Sequence, residues 1–197
     1  MPEGRPKSPP ALDASDIGPV CLVTGGAGYV GNALVRRLLA AGCTVRTIDV
    51  RDVAPPGAQH FVADLRDHDA IESVFAGVDT VFHTAAVIST VGADLAPLAR
   101  RRFVYGVNVV GTENVLRAAR SNHVSALVHT SSFNVVMDRP IADGDESLPY
   151  ATGSADLYTQ TKTEAERLAL GADTTGGLRV CALRPAGIWG PGQGAVM

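Results

Sequence analysis

The sequence has few cysteines, no excess of basic residues and no long apolar segment. Three of its 197 residues are cysteines. Cys21, Cys43 and Cys181 are odd in number and far apart, which argues against a disulfide framework and predicts reduced thiols in the core of a cytoplasmic protein. Because no apolar stretch approaches the roughly 20 residues that a membrane-spanning helix needs, we expect a soluble protein.

Patterns typical of nucleic-acid or metal binding are also missing. The formal net charge is -3, whereas nucleic acid or an anionic membrane would call for a clustered basic surface. The one basic cluster, Arg100 to Arg102, is interpreted as a solvated helix face. The five histidines show no spacing that would pair them as ligands on one helix or loop, so no metal site is predicted.

The chain divides into a short leader and one domain. Residues 1–18 are rich in Pro, Ser and charge and lack the apolar segment of a signal peptide, which predicts a disordered tail. Residues 19–197 are predicted to form a single domain. The stretch from Gly190 to Gly194 resembles a loop with nothing after it to close the structure. We therefore expect this chain to be the first part of a longer protein.

Short apolar runs alternate with helix-period segments from Val20 to Leu183. This alternation is typical of repeated strand and crossover-helix units, and it predicts an α/β fold: a doubly wound parallel sheet with helices on both faces. One helix should bury Val30, Leu34 and Leu38. Another should bury Val107, Gly111, Val115 and Ala118. The predicted strands are Val20–Thr24, Thr44–Asp49, Gln59–Val62, Thr80–His83, Ala126–Thr130 and Arg179–Leu183.

The stretch TGGAGYVG contains two overlapping glycine spacings that are typical of phosphate binding. They are G-x-G-x-x-G from Gly26, Gly28 and Gly31, and G-x-x-G-x-x-G from Gly25, Gly28 and Gly31. Glycine also serves tight turns that bind nothing. Here the turn follows a strand and opens a helix, where bare backbone can approach a pyrophosphate at the positive helix end, as in Rossmann folds.

An acidic residue ends the second predicted strand, about 20 residues after the glycines. Asp49 is in the position where a carboxylate accepts hydrogen bonds from the adenosine ribose, and its charge would repel the extra phosphate of NADP. Arg51 offers the alternative, because an arginine can hold that phosphate. The pattern favours NAD over NADP as the cofactor.

Tyr158 and Lys162 stand four residues apart in a strongly helical segment, so both project from one helix face. A phenol with a pKa of about 10 is neutral at pH 7, and a nearby ammonium should lower that pKa. Chance pairs of this kind occur on many solvated helices. Ser131 and Ser132 favour a functional role for Tyr158 and Lys162, because the two serines follow a predicted strand at the edge where parallel sheets bind ligands. Capping a turn is the alternative role for Ser131.

Several motifs in order resemble the extended short-chain dehydrogenase/reductase family, from Val20 to Gly192. They are TGGAGYVG, DL at Asp64, HTAA at His83, NVVGTEN at Asn108, TSS, YTQTK and LRPAGIWGPG. The resemblance implies a catalytic set of Ser132, Tyr158 and Lys162, with Val135 completing an S-x-x-V pattern. Asn108 would either join a proton relay or bond neighbouring backbone. The residues implied to bind the cofactor are Gly25, Gly28, Tyr29, Val30, Gly31, Asp49, Asp64, Leu65, Ala85, Ala86, Tyr158, Lys162 and Pro185.

Within this family, the segments SFNVVM, DESLPY and LRPAGIWGPG resemble the 3β-hydroxysteroid dehydrogenase/isomerase branch. Val136 and Met137 stand where epimerases usually carry Tyr-Gly, and an apolar pair suits an apolar ring system. The resemblance implies NAD-dependent hydride transfer between a secondary alcohol or ketone and nicotinamide. It also implies that residues 19–197 form an NAD(P)-binding Rossmann domain whose substrate-binding part lies beyond this chain. Nucleotide-sugar epimerases or dehydratases, dihydroflavonol reductase-like enzymes and a non-catalytic dinucleotide-binding regulator remain alternatives. The expected partner is a small-molecule substrate. The sequence leaves the oligomeric state open, and a homodimer is one of the alternatives.

Overall fold

Six parallel strands form one sheet in the order β3-β2-β1-β4-β5-β6. The computed structural model describes residues 13–89, 92, 95–137, 140–152 and 156–190. All six predicted strands are present at the predicted bounds, which confirms the doubly wound parallel sheet. The strands are β1 (Val20–Thr24), β2 (Thr44–Asp49), β3 (Gln59–Val62), β4 (Thr80–His83), β5 (Ala126–Thr130) and β6 (Arg179–Leu183).

Within the described residues, six α-helices and three 3₁₀ or π-helical turns accompany these strands. The helices are α1 (Ala14–Ile17), α2 (Tyr29–Ala40), α3 (His68–Glu72), α4 (Leu98–Tyr105), α5 (Gly111–Ser121) and α6 (Leu157–Leu170). Ser73–Phe75 and Phe133–Val136 are 3₁₀ turns, and Gly106–Val110 is a π-helical turn between α4 and α5. Across the described ranges, no helix combines the length and the apolar composition that crossing a membrane requires.

Side-chain carboxylates fix where two of these helices begin. The Asp67 carboxylate accepts a hydrogen bond from the Ala70 N–H at the start of α3. The Asp156 carboxylate accepts one of 2.8 Å from the Thr159 N–H at the start of α6. Such caps satisfy N–H groups that have no acceptor within the helix. The cap at Asp156 matters for the site, because it sets where Tyr158 and Lys162 lie along α6.

Helices cover both faces of the sheet, as predicted. On one face α2 packs its Val35 and Leu38 against Val23 and Val45 of the neighbouring strands. On the other face α3 and α5 cover a larger cluster around Phe75. This cluster includes Leu22, Ile48, Val81, Val115, Ala118 and Leu127, all buried. The site-bearing ends of β1, β4 and β5 are therefore held in the middle of a packed sheet.

The expectation of core thiols is met at two of three cysteines. Cys21 and Cys43 are buried beneath α2, whereas Cys181 is exposed. Cys181 pairs in register with Val128 on the sheet face that α2 covers, but β6 is the edge strand and α2 packs mainly on β1 and β2. An apolar run in the sequence therefore does not guarantee burial at the edge of the sheet.

The predicted tail over residues 1–18 needs correction at its end. Residues 1–12 lie outside the described residues, but Ala14–Ile17 form helix α1. The Asp13 carboxylate caps this turn, and Ala14 and Ile17 pack against the cluster beneath α2. The Ile17 carbonyl also accepts a 2.5 Å hydrogen bond from the Thr80 hydroxyl. These contacts attach the turn to the sheet, so the domain begins before residue 19.

Removing a core side chain from β5 tests this packing. Leu127 is 1% exposed, so Leu127→Ala should lower the free energy of unfolding by about 2–5 kcal/mol through lost burial and a cavity. Leu168→Ala on α6 is the control, because Leu168 is 37% exposed and should cost less than about 1 kcal/mol. Urea unfolding measures both, and equal losses would contradict this account of the core.

Candidate functional site

A cleft of about 1560 Å³ lies at the carboxyl ends of the central strands. Its walls come from the turn after β1, the start of α2, the segments after β4 and β5, and one side of α6. This is the edge at which open parallel sheets bind ligands. Among the predicted site residues, the cleft is lined by Gly28, Tyr29, Val30, Ala86, Ser132, Tyr158, Lys162 and Pro185.

The glycine turn brings the backbone of β1 unusually close to its neighbours. Gly25 has φ of +71°, and a Cβ there would lie 2.8 Å from the Cα of Ala85. A Cβ on Gly31 would collide with the Gly25 carbonyl, so α2 can approach the turn only because residue 31 is glycine. Gly25 and Gly31 thus shape the wall from behind, while Gly28 caps α2 and faces the cleft. Bare backbone before a helix N-terminus fits an anionic pyrophosphate.

Asp49 lies next to this turn and is held in place by its neighbours. Its carboxylate accepts hydrogen bonds from the Ala27 N–H at 3.1 Å and the Arg51 N–H at 3.1 Å, and it pairs with the Arg51 guanidinium at 3.4 Å. Arg51 itself lines the cleft, together with Arg36 and Arg37 of α2. This end of the cleft therefore offers both a carboxylate and a group of cations.

Six predicted cofactor residues are not among those that line the cleft: Gly25, Gly31 and Asp49, described above, and Asp64, Leu65 and Ala85. The Leu65 side chain is 6% exposed and belongs to the core under α5, so it does not face the cleft. Asp64 forms an ion pair with Arg66 through several hydrogen bonds. Ala85 lies behind Gly25, and its neighbour Ala86 lines the cleft instead.

Lys162 is almost completely buried at the base of the cleft. Its side chain is 2% exposed, and its ammonium donates a 2.6 Å hydrogen bond to the Thr130 carbonyl at the end of β5. The His129 Nε2 atom lies 3.5 Å from the same nitrogen. Because burial disfavours the charged form, the pKa of Lys162 falls to about 8, although the Glu166 carboxylate opposes this.

The Tyr158 phenol does not behave as the helix spacing predicts. Burial raises its pKa above the ordinary value, while a hydrogen bond with the Ser132 side chain lowers it and Asp156 raises it further. The expected lowering by Lys162 is therefore wrong for this structure. The physical reason is that the ammonium is directed into the protein, toward Thr130, and the phenol loses water.

Ser132 is the serine that the structure brings to Tyr158. It caps the 3₁₀ turn, its hydroxyl accepting a 3.3 Å hydrogen bond from the Asn134 N–H, and it bonds with the phenol. Ser131 also lines the cleft but is only 3% exposed. The proposed apolar pair is half correct: Met137 is 50% exposed and lines the cleft, whereas Val136 is buried in the protein.

Asn108 lies beneath the site and bonds backbone rather than the cleft. Its Oδ1 accepts from the Val87 N–H at 2.7 Å, and its Nδ2 donates to the Val87 carbonyl and to the Thr161 hydroxyl, each at 3.0 Å. It is 2% exposed and does not line the cleft. Of the two roles considered from the sequence, these contacts match backbone bonding, which fixes the segment after β4 against α6.

Two buried histidines were missed by the sequence analysis. His83 bonds the Thr24 hydroxyl at 2.7 Å and the Thr112 hydroxyl at 2.9 Å, and its ring lies 5.3 Å from that of His129. Burial, which is the larger cause, and the positive charge of Lys162 lower the pKa of His83 to about 3. The same causes lower the pKa of His129. Both rings are therefore neutral near pH 7, and alternation within their strands was the only signal that they would be buried.

Other cleft residues lie in motifs quoted from the sequence but were not singled out as site residues. Phe133, Ile188 and Trp189 give its wall an apolar stretch near Ser132 and Tyr158, and Trp189 is 86% exposed. Outside the cleft, His68, Asp69 and Glu72 bring their ligand atoms within 4.8 Å of one another on α3. His68 already contacts the Asp69 carboxylate, whose side chain is 98% exposed, so this group is an ordinary surface cluster.

The neutral state of His83 predicts a loss of stability in acid. An imidazole with a folded pKa of about 3 and an ordinary value of 6.5 stabilises the fold fully above about pH 6.5 and loses this contribution as pH falls toward 3. From about pH 6.5 to 4.5 the free energy of unfolding should drop by up to about 2 kcal/mol from this group. Urea unfolding of His83→Gln should show a shallower drop than the unchanged chain.

His123→Asn is the matched control, because His123 is exposed at the protein surface. It should follow the unchanged chain across the same pH range. A His83→Gln curve parallel to both would contradict the buried neutral imidazole.

The profile of the 3-beta hydroxysteroid dehydrogenase/isomerase family matches residues 22–197. A 3-beta-hydroxysteroid dehydrogenase from Mycolicibacterium neoaurum is 42% identical over 183 residues, covering 91% of this chain and 50% of that protein. A 3 beta-hydroxysteroid dehydrogenase/Delta 5→4-isomerase from Mycobacterium tuberculosis is 44% identical over 176 residues, covering 87% and 48%.

Among solved structures, the chain is similar to a short-chain dehydrogenase/reductase superfamily protein from Agrobacterium tumefaciens with bound NAD. The identity is 35% and the TM-score 0.73, over 84% of this chain and 48% of that one. The chain thus spans about half the length of the curated relatives that it matches.

Proposed function

Since the chain belongs to the 3-beta hydroxysteroid dehydrogenase/isomerase family, we propose that it binds NAD and transfers hydride between nicotinamide and a secondary alcohol or ketone. Its membership confirms the resemblance drawn from the motifs. The observation that carries the proposal is one cleft holding the glycine turn and the hydrogen-bonded pair of Ser132 and Tyr158, with Lys162 beneath them.

The residues at the other end of the cleft would hold the dinucleotide. The turn from Gly25 to Gly28 and the start of α2 would bind the pyrophosphate, and Asp49 would accept hydrogen bonds from the adenosine ribose. Bound NAD supplies the hydride acceptor and, when reduced, the hydride donor. Tyr29, Val30, Ala86 and Pro185 would enclose it, since they line the same cleft.

In this mechanism, Tyr158 moves the proton that accompanies hydride transfer. A phenol whose pKa is raised is fully protonated near neutral pH, so it is ready to donate a proton to a ketone oxygen that becomes an alcohol. In the oxidation direction the phenolate must accept the alcohol proton, so the rate should rise with pH. Ser132 would orient the substrate oxygen and stabilise charge developing on it. Lys162, at the base of the same cleft, would hold the nicotinamide ribose.

The substrate is proposed to be an apolar ring system of the 3β-hydroxysteroid type. Met137, Phe133, Ile188 and Trp189 line the wall near Ser132, and these four side chains carry no charge. A nucleotide sugar would bring two further phosphates, for which such a wall offers no cation. The names of the relatives from Mycolicibacterium neoaurum and Mycobacterium tuberculosis support the same substrate class.

Tyr158→Phe tests the catalytic assignment. It should lower turnover of a steroid alcohol by about 100-fold or more, because the proton acceptor is lost. Binding of NADH should change by less than about threefold, since the apolar ring remains in place. Turnover is followed by NADH absorbance over steroid, flavonoid and sugar-nucleotide alcohols. Binding is followed by energy transfer from Trp189, the single tryptophan, which lines the cleft.

Tyr105→Phe is the matched control for this substitution. Tyr105 lies outside this cleft, where its hydroxyl bonds Glu164, so turnover should stay near that of the unchanged chain. Retained turnover in Tyr158→Phe would rule the mechanism out.

A second substitution tests the choice of NAD over NADP. We expect the unchanged chain to bind NAD more tightly, because the Asp49 carboxylate repels a 2′-phosphate. Arg51→Ala should weaken NADP binding by about tenfold or more, the value of one charged hydrogen bond, and leave NAD binding within about twofold. Arg101→Ala, outside this cleft, is the control. Tighter binding of NADP by the unchanged chain would overturn the assignment.

A further inference from the structure

One helical turn beyond Lys162, α6 buries a second charged side chain. Glu166 has no exposed surface, and its carboxylate accepts hydrogen bonds from the Arg184 guanidinium at 2.7 and 3.0 Å. The Tyr150 hydroxyl donates to the same oxygen at 3.0 Å. Burial raises the pKa of Glu166, but its hydrogen bonds lower this pKa below the ordinary value. The hydrogen bond from Arg184 has the largest lowering effect. Glu166 is therefore a buried carboxylate that stays ionised.

The groups that anchor Glu166 come from outside α6. Arg184 directly follows β6, and its guanidinium also lies 5.4 Å from the centre of the Tyr150 ring. The Arg167 guanidinium lies 4.6 Å from the centre of the same ring. A carboxylate held by two separate parts of the chain has a fixed position, so its electrostatic effect on α6 is also fixed.

Lys162 needs such a charge, because its other neighbours supply none. His83 of β4 and His129 of β5 face it as neutral rings, their pKa values being lowered. Tyr158 on its own helix has a raised pKa and is neutral as well. Within the described part of the chain, Glu166 is the carboxylate whose charge acts on the Lys162 ammonium, and Arg184 reaches it only through Glu166.

Building on the proposed function, we propose that Glu166 is a positioning residue for hydride transfer. Its carboxylate, anchored by Arg184 and Tyr150, keeps Lys162 charged and bonded to Thr130. Without this anion, a 2% exposed amine would release its proton at lower pH, and the site would lose the charged donor proposed to hold the nicotinamide ribose.

The lysine content of the chain allows a direct test. The sequence has two lysines, Lys7 and Lys162, so Lys7→Arg leaves a single side-chain amine to follow by NMR after labelling with ¹⁵N-lysine. In that background the amine should titrate with a pKa of about 8. Glu166→Gln, equal in shape but uncharged, should lower the midpoint by about one pH unit or more, a tenfold loss in proton affinity. Glu166→Asp keeps the charge and should restore part of the shift.

Glu164→Gln is the matched control on the same helix. Glu164 bonds Tyr105 at the surface, so its loss should move the midpoint by less than about 0.3 pH unit. A midpoint in Glu166→Gln that equals that of the control overturns the proposal.

The single variant leaves Arg184 without its partner and for that reason can unfold. The double variant Glu166→Gln/Arg184→Gln removes both charges and should show the same lowered midpoint. An unchanged midpoint there also overturns the proposal. In assays of ketone reduction, kcat/KM should fall as the pH rises through the titration of Lys162, and in Glu166→Gln this fall should begin about one pH unit lower. Absence of turnover in the unchanged chain would count against the proposed function, whereas the amine titration decides the role of Glu166 by itself.

Discussion

The hydrogen bond from the Lys162 ammonium to the Thr130 carbonyl is the contact on which the candidate site depends. It joins helix α6 to the carboxyl end of β5 from the inside, at 2.6 Å. Because Tyr158 precedes Lys162 by one turn and Ser132 follows Thr130 by two residues, this bond brings the two hydroxyls to the same part of the cleft. The Lys162 ammonium therefore joins α6 to the end of β5 and also places a positive charge beneath the site.

The surroundings of this ammonium show how a buried charge is tolerated. Removing a cation from water costs several kcal/mol unless other groups compensate. Here the Thr130 carbonyl, the neutral His129 ring and the Glu166 carboxylate each compensate in part, and the pKa of Lys162 still falls to about 8. The group is therefore charged in neutral solution but responsive to changes near it.

The parts of this protein that follow from local chemistry could be predicted from the sequence. Buried parallel strands are short apolar runs between turns, so all six were found with their bounds. The glycine turn and the spacing of Tyr158 and Lys162 are also local patterns. The predictions that failed concern which neighbours bury a side chain in the fold. Leu65 faces the core under α5, Val136 turns inward beside an outward Met137, and Cys181 lies on an uncovered edge. The raised pKa of Tyr158 depends on burial and on the direction of Lys162, which no pattern in one chain specifies.

The π-helical turn at Gly106–Val110 places a constraint on how this protein can change in length. Within it, Asn108 holds both backbone groups of Val87, and its own carbonyl accepts a 2.7 Å bond from Thr112. A helix advances about 100° per residue, so deleting one residue here would rotate α4 by that angle relative to α5. The amide would then point away from Val87, and the segment after β4 would lose its attachment to α6. We therefore expect single-residue insertions and deletions to be rare in this stretch among functional relatives of this protein, even where substitutions are common.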